Sequence, residues 1–134
     1  MSDQITVVAA AIIDDASRLL AAQRARPPRT AGMWEFPGGK VEPGERDEDA
    51  LIRECKEELD VTVELGERFG EDIPIIEGRA ILRVWLARIA SGTPRAIDHL
   101  ELRWLASHEL GTVPWLPVDA PLIDKLRQYL NPDL

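Results

Sequence analysis

Gly39–Val61 reads GKVEPGERDEDALIRECKEELDV and follows directly on Trp34–Gly38, WEFPG. Gly38 and Gly39 come after Pro37, so the backbone there can turn sharply and bring its own carbonyls close to a ligand. Gly44 makes a second break, and Asp47, Glu48 and Asp49 then fall where acidic side chains favour the positive end of a helix. From Asp47 to Leu59 no Gly or Pro interrupts a run rich in Ala, Leu, Glu, Lys and Arg, which predicts one helix. At about 100° per residue, Leu51, Ile52, Cys55 and Leu59 form one apolar stripe. Glu54, Glu57 and Glu58 gather on a separate stripe and can converge on one point, with Arg53 and Lys56 on the far side. Like-charge pairs on an exposed helix each cost a few tenths of a kcal/mol, and a divalent cation reverses that cost. Mg²⁺ prefers oxygen ligands and commonly bridges protein carboxylates to substrate phosphates. Taken alone, three glutamates are more simply read as a solvated acidic face.

The spacing changes that balance. Gly39, Glu45, Arg53, Glu54, Glu57, Glu58 and Val61 match the pattern G-x5-E-x7-R-E-U-x-E-E-x-G-U, where U is a bulky aliphatic. The chain therefore resembles the Nudix hydrolases. Cys55 stands at the first aliphatic position, where a free thiol serves as a small hydrophobe. Asp60 replaces the final Gly, at a helix end where Asp tolerates a left-handed conformation better than most residues. Beyond this box, the segments GMWEFPGGKVEPGE and WLPVDAPLIDKL and the strands around Trp85 and Trp104 are similar to the MutT-type nucleoside triphosphate pyrophosphohydrolases. Within that group the likeness is strongest to members acting on cytidine triphosphates.

The resemblance implies attack of water on a phosphorus of the triphosphate, releasing a nucleoside monophosphate and pyrophosphate. It implies that Glu54, Glu57, Glu58 and the main-chain carbonyl of Gly38 hold Mg²⁺, with Mn²⁺ able to substitute. Glu54 would also orient or deprotonate the attacking water, Arg53 would hold Glu54 in place, and Glu45 would support it. Asp98 sits where the family often supplies one more metal-binding carboxylate, with His99 and Glu101 as rivals and a plain solvated loop as an equal reading for each. Lys40 and Arg24 would neutralise phosphate oxygens, or Arg24 would meet a ring oxygen of the base. Glu35, Phe36, Pro37, Gly38, Arg79 and Asp119 complete the expected substrate-binding set. His108 is expected to be structural or exposed.

The remaining sequence bounds these expectations. At 134 residues, 45% hydrophobic and 30% charged, the chain reads as one soluble domain, residues 1–134, large enough for a proper core. A net charge of −8 argues against a nucleic-acid polymer as partner, which needs a basic footprint. A small polyanion remains compatible if metal ions neutralise the site. The single Cys55 allows no intramolecular disulfide and fits a reducing compartment. No signal peptide is evident, and no apolar run approaches the ~20 residues of a membrane span, so the expected location is cytoplasmic with no membrane contact.

In chain order, Ile5–Ile13 is apolar and β-branched, a strand buried on both faces. Arg18–Arg24 is expected to return antiparallel to it after a turn at Asp14-Asp15. Arg26–Gly32 is a loop, Val61–Phe69 a strand, and Gly70–Gly78 a loop. Arg79–Ile89 alternates, with Leu82, Val84 and Leu86 on one face and Arg79, Ile81, Arg83 and Trp85 on the other. That second face, mixing cations with an aromatic, would border a nucleotide or carry solvated arginines. Trp85 and Trp104 are expected mainly in the core. Glu101–Leu105 is a strand, Ser107–Leu110 a helical turn, and Asp119 an N-cap ahead of a final helix opened by Pro121 and ending at Leu130. The order β-β-β-α-β-β-β-α predicts an α/β fold with a mixed sheet between helices, the architecture the Nudix resemblance also implies.

Substrate choice has fewer signals. The chain has no long insertion to hold a second sugar or base, so a compact nucleoside triphosphate suits it better than ADP-ribose. Asp119 is the candidate for reading the base, because an ionised carboxylate only accepts hydrogen bonds and pairs naturally with the exocyclic amine of cytosine. A 5-methyl group leaves that amine untouched, so (d)CTP and 5-methyl-(d)CTP are the expected substrates. The alternatives are an 8-oxo-dGTP or 8-oxo-GTP diphosphatase, a non-catalytic nucleotide-binding module, and a merely acidic or calcium-binding surface.

Overall fold

The computed structural model describes residues 4–131. The elements run β1 (Ile5–Ile12), β2 (Leu19–Arg24), β3 (Trp34–Glu35), β4 (Gly38–Lys40), α1 (Asp47–Leu59), β5 (Thr62–Arg68), β6 (Ile73–Ile75), β7 (Ala80–Ser91) and β8 (His99–Leu105). A 3₁₀ turn (Ser107–Thr112) and α2 (Ala120–Leu130) close the chain. The larger sheet has the order β4-β1-β7-β5, with β1 and β7 parallel and β6 added beside the first residues of β7. The smaller sheet is β3-β2-β8, antiparallel throughout.

β1 is the central strand, and its alternation serves two cores. Val8, Ala10 and Ile12 face Ala50, Leu51, Cys55 and Leu59 of α1 together with Trp85 and Ala87. Ala9 and Ala11 face Leu122, Ile123 and Leu126 of α2, with Leu82 and Val84 of β7. A continuous apolar run suits a strand covered on both sides, and the mixed sheet does lie between two helices as expected. Alanines on both faces let the helices approach closely.

Four local expectations change. β2 does not pair along β1. The chain crosses at the Ile13–Leu19 bridge into the smaller sheet, where β2 finds β3 and β8. The Gly-Gly segment is a strand on β1 rather than a turn, with Ala9 opposite Gly38 and Val8 opposite Gly39. A short strand, β6, interrupts the expected 70–78 loop. Ile52 sits at the edge of the helix stripe and is exposed. The helix bounds themselves match, and Asp60 ends α1 at φ 58°, donating its N–H to the carbonyl of Lys56. Trp85 is buried, whereas Trp104 is half-buried beneath the Arg18 guanidinium.

Candidate active site

The glycines set α1 against β4. A Cβ on Gly38 would collide with the Val8 carbonyl oxygen, and one on Gly39 with the carboxylate of Glu54. Only a bare backbone lets the helix carboxylate lie against the strand. The side of α1 that carries the glutamates therefore meets β4 at one end of a cleft of about 450 Å³.

Arg53 organises the outer rim of that end. Its Nε and Nη2 donate to the two carboxylate oxygens of Glu45 at 2.9 and 3.1 Å. Its Nη1 donates to Glu54 at 2.8 Å and to Glu57 at 3.2 Å, and Nη2 also reaches the Lys40 carbonyl at 3.2 Å. A planar guanidinium spends its fork on such pairs. Arg53 thus stands in hydrogen-bond contact with Glu54, and its hydrogen bond to Glu45 holds that carboxyl below its usual range.

Inside the rim, Glu54 and Glu58 touch. Burial first, then the contact with Glu54 and the charges of Glu54, Glu35 and Asp98, push the Glu58 carboxyl up to about 8. Crowded carboxylates of which one retains a proton are what a divalent cation resolves. The donor set fits Mg²⁺ in chemistry: Glu54, Glu58 and the Gly38 carbonyl lie at this end, and Glu57 would join by leaving Arg53. Among the described residues no group of three or more His, Cys, Asp and Glu already stands at metal-holding distance. Glu57 is 60% exposed and turned to Arg53, which accounts for the missing third donor.

The other wall comes from the smaller sheet. Glu35 accepts from Nη1 of Arg24 at 2.6 Å and pairs with Nε2 of His99 at 3.0 Å. Arg24 also donates through Nε to the Arg26 carbonyl and to Thr30. So engaged, Arg24 lines the cleft beside Glu35, close enough for its charge to act on Asp119. Lys40 lines the cleft, exposed, with no ion pair among the described residues. Asp98 lines the cleft as well and meets Arg26 at 3.3 Å.

Asp119 closes the far end. It precedes α2, but its side chain makes no cap hydrogen bond, because the residue is itself helical (φ −87°, ψ −21°). Its carboxyl is 3% exposed, lines the cleft, and is pushed up to about 7 by burial and by Glu35, against the pull of Arg24. The capping role expected of this side chain is therefore absent, and the carboxyl is left for the cleft.

Several expected residues stand elsewhere. Pro37 is fully buried and does not line the cleft. Phe36 does, but it is 4% exposed and packed against the Trp115 ring at 5.6 Å, so it is floor rather than a free stacking face. Arg79 is an exposed turn residue outside the lining. Glu101 points to Arg103, and His108 is exposed. Arg83 pairs with Asp47 and Asp72, which puts the mixed face of β7 against α1 and not against the cleft. Sequence reasoning missed the apolar walls, Ile75, Ile76, Leu82, Leu116 and Val118. Leu116 and Val118 flank Pro117 just ahead of Asp119, the one signal that was available.

The NUDIX domain model matches residues 3–129. The chain is 45% identical over 134 residues to a Mycobacterium tuberculosis protein named "Putative 8-oxo-dGTP diphosphatase 2", covering 98% of this chain and 93% of that one. It is 40% identical over 118 residues to the CTP pyrophosphohydrolase of Escherichia coli, covering 87% of each. The crystal structure of a MutT NUDIX hydrolase from Burkholderia pseudomallei superposes with a TM-score of 0.77 at 33% identity, over 91% of this chain and 97% of that one. On these matches the chain belongs to the NUDIX domain family, among its MutT-like members.

Proposed function

We propose that this Nudix chain is a divalent-metal-dependent nucleoside triphosphate pyrophosphohydrolase that prefers (d)CTP and 5-methyl-(d)CTP. The cleft is polar and acidic at the α1 end and apolar at the Asp119 end, which suits a triphosphate at one and a base at the other. Bound by Glu54, Glu57, Glu58 and the Gly38 carbonyl, Mg²⁺ would offset the phosphate charges and acidify a coordinated water. Glu54, held by Arg53, takes the proton from the attacking water. Lys40 meets the charge that develops on the departing pyrophosphate. Water adds to phosphorus as the bond to the leaving oxygen breaks, giving the nucleoside monophosphate and pyrophosphate.

The observation that carries the cytidine reading is the buried Asp119 carboxyl, free of any capping bond. When ionised it accepts only, and the cytosine amine donates. The name of the mycobacterial relative favours a second reading, hydrolysis of 8-oxo-dGTP. A protonated Asp119 both donates and accepts, as a purine edge requires, and a carboxyl pushed up to about 7 takes that form at lower pH. The preference for CTP over 8-oxo-dGTP should therefore grow as pH rises through about 7. Pyrophosphate release from canonical, 5-methylated and oxidised triphosphates with Mg²⁺, or with Mn²⁺ in its place, tests the proposal. ADP-ribose turned over faster than every triphosphate would refute it.

A further inference from the structure

His99 has a place in the cleft that the pyrophosphohydrolase reading leaves unused. Its side chain is 5% exposed and stands between two carboxylates on different elements, with Nε2 3.0 Å from Glu35 of β3 and 3.8 Å from Glu58 of α1. Across the smaller sheet, His99 at the start of β8 lies opposite Arg24 of β2, at a register shift between Gln23 and Arg24. Such irregularities re-aim side chains. Three adjacent strands thus place Glu35, Arg24 and His99 together, and His99 alone reaches on to the helix.

The backbone holds this bridge in position. Arg95 donates its N–H to the Leu59 carbonyl at 2.9 Å, and Ile97 donates to the Glu58 carbonyl at 3.3 Å. The loop before β8 is therefore tied to the last turn of α1 at Glu58 itself and at the residue after it. The His99 ring makes its hydrogen bond through Nε2 to Glu35, while the 3.8 Å approach to Glu58 is a charge contact rather than a hydrogen bond. Nδ1 is buried with no partner among the described residues. The Nε2 edge of the ring is thus turned to the two carboxylates.

We propose that His99 is a positioning residue that joins Arg24 and Glu35, at the nucleoside side of the cleft, to Glu58 on α1, and holds the Glu58 carboxylate for the cation. The inference rests on reading the acidic face as a cation site. Groups that orient a metal-holding side chain typically contribute 10–100-fold to metal affinity.

The test measures Mn²⁺ binding by electron paramagnetic resonance on the whole chain without nucleotide, alongside steady-state kinetics. His99→Ala is expected to weaken Mn²⁺ binding about tenfold and to lower kcat, while KM for the triphosphate moves far less. His99→Gln, whose amide can place a donor near the Nε2 position, is expected to recover a substantial part of both losses. Glu35→Gln keeps the imidazole but removes its charged acceptor, and it is expected to give a smaller loss of Mn²⁺ affinity in a folded protein. His108→Ala, an exposed imidazole, is the control and should bind Mn²⁺ as the parent does. Parent-like Mn²⁺ affinity in folded His99→Ala or Glu35→Gln would overturn the positioning role alone. Failure of the parent chain to bind Mn²⁺ would overturn the cation reading with it.

Discussion

At the α1 end of the cleft, Arg53, Glu54, Glu57 and Glu58 come from six consecutive residues of one helix, with Gly38, Gly39 and Glu45 just upstream. At the Asp119 end, Arg24 comes from β2, Glu35 from β3, Leu82 from β7 and Asp119 from the approach to α2. The first end is a periodic pattern on a local element; the second exists only after two sheets and a helix have met. The first is held by ionic fork contacts around Arg53, the second by burial. One end should thus be sensitive to charge deletion and nearly indifferent to the base, and the other the reverse.

The largest effect should come from the helix carboxylates. Glu54→Gln, Glu57→Gln or Glu58→Gln should lower kcat by roughly 10²–10⁴-fold on every triphosphate alike, with the fold retained by circular dichroism. Glu58→Gln should also change stability with a definite sign. Burial and the neighbouring Glu54 push the native Glu58 carboxyl up to about 8, well above the range of an unfolded Glu. Unfolding therefore releases a proton, and metal-free parent protein loses stability as pH rises toward about 8. Gln abolishes that loss, so metal-free Glu58→Gln should melt higher than the parent at alkaline pH. Added Mg²⁺ should raise the parent's Tm and leave the variant's almost unmoved.

Next in size is Arg53→Ala, which frees Glu45 and Glu54 together. We expect kcat to fall about 10–100-fold with little change in the CTP to 8-oxo-dGTP ratio. A changed ratio would mean that the two ends are not separately built. Smaller again is the stability effect at Asp119, whose carboxyl is pushed up to about 7 by burial. The same linkage applies, so Asp119→Asn should raise Tm more at pH 8 than at pH 5. Equal gains at both pH values would show that the carboxyl is not buried in solution. Least of all, Arg79→Ala and Glu48→Gln should be almost silent, since one lies outside the cleft and the other only meets Arg46 at 3.3 Å.

The same contrast governs what could be read from the sequence. α1 and its cap at Asp60 were legible because they depend on neighbours within a few turns. The contact of Arg53 with Glu54 was expected only from the family resemblance, since helical spacing alone had set Arg53 on the far side from the glutamates it reaches. The double-sided burial of β1 was legible because a strand apolar at nearly every residue has no face to give to water. The split of β1 and β2 into different sheets was not, since strand partners are chosen by long-range packing that an adjacent hairpin pattern imitates. Phe36 and Pro37 were expected in the substrate-binding set, but just after the two-residue β3 both are buried, Phe36 as the floor of the cleft and Pro37 outside its lining. Asp119 before Pro121 carries the pattern of an N-cap, and only its helical dihedral angles free the carboxyl for the cleft. No helix of the described residues is long and apolar enough to cross a membrane.

The most direct measurement is the ratio of kcat/KM for CTP to that for 8-oxo-dGTP, taken at pH 8 with saturating Mg²⁺ in the parent chain and in Asp119→Asn. The account predicts that the parent prefers CTP, and that Asn, able to donate as well as accept, narrows or reverses the preference while kcat on CTP stays within about an order of magnitude. A parent that prefers 8-oxo-dGTP, or a ratio the substitution leaves unchanged, would contradict it.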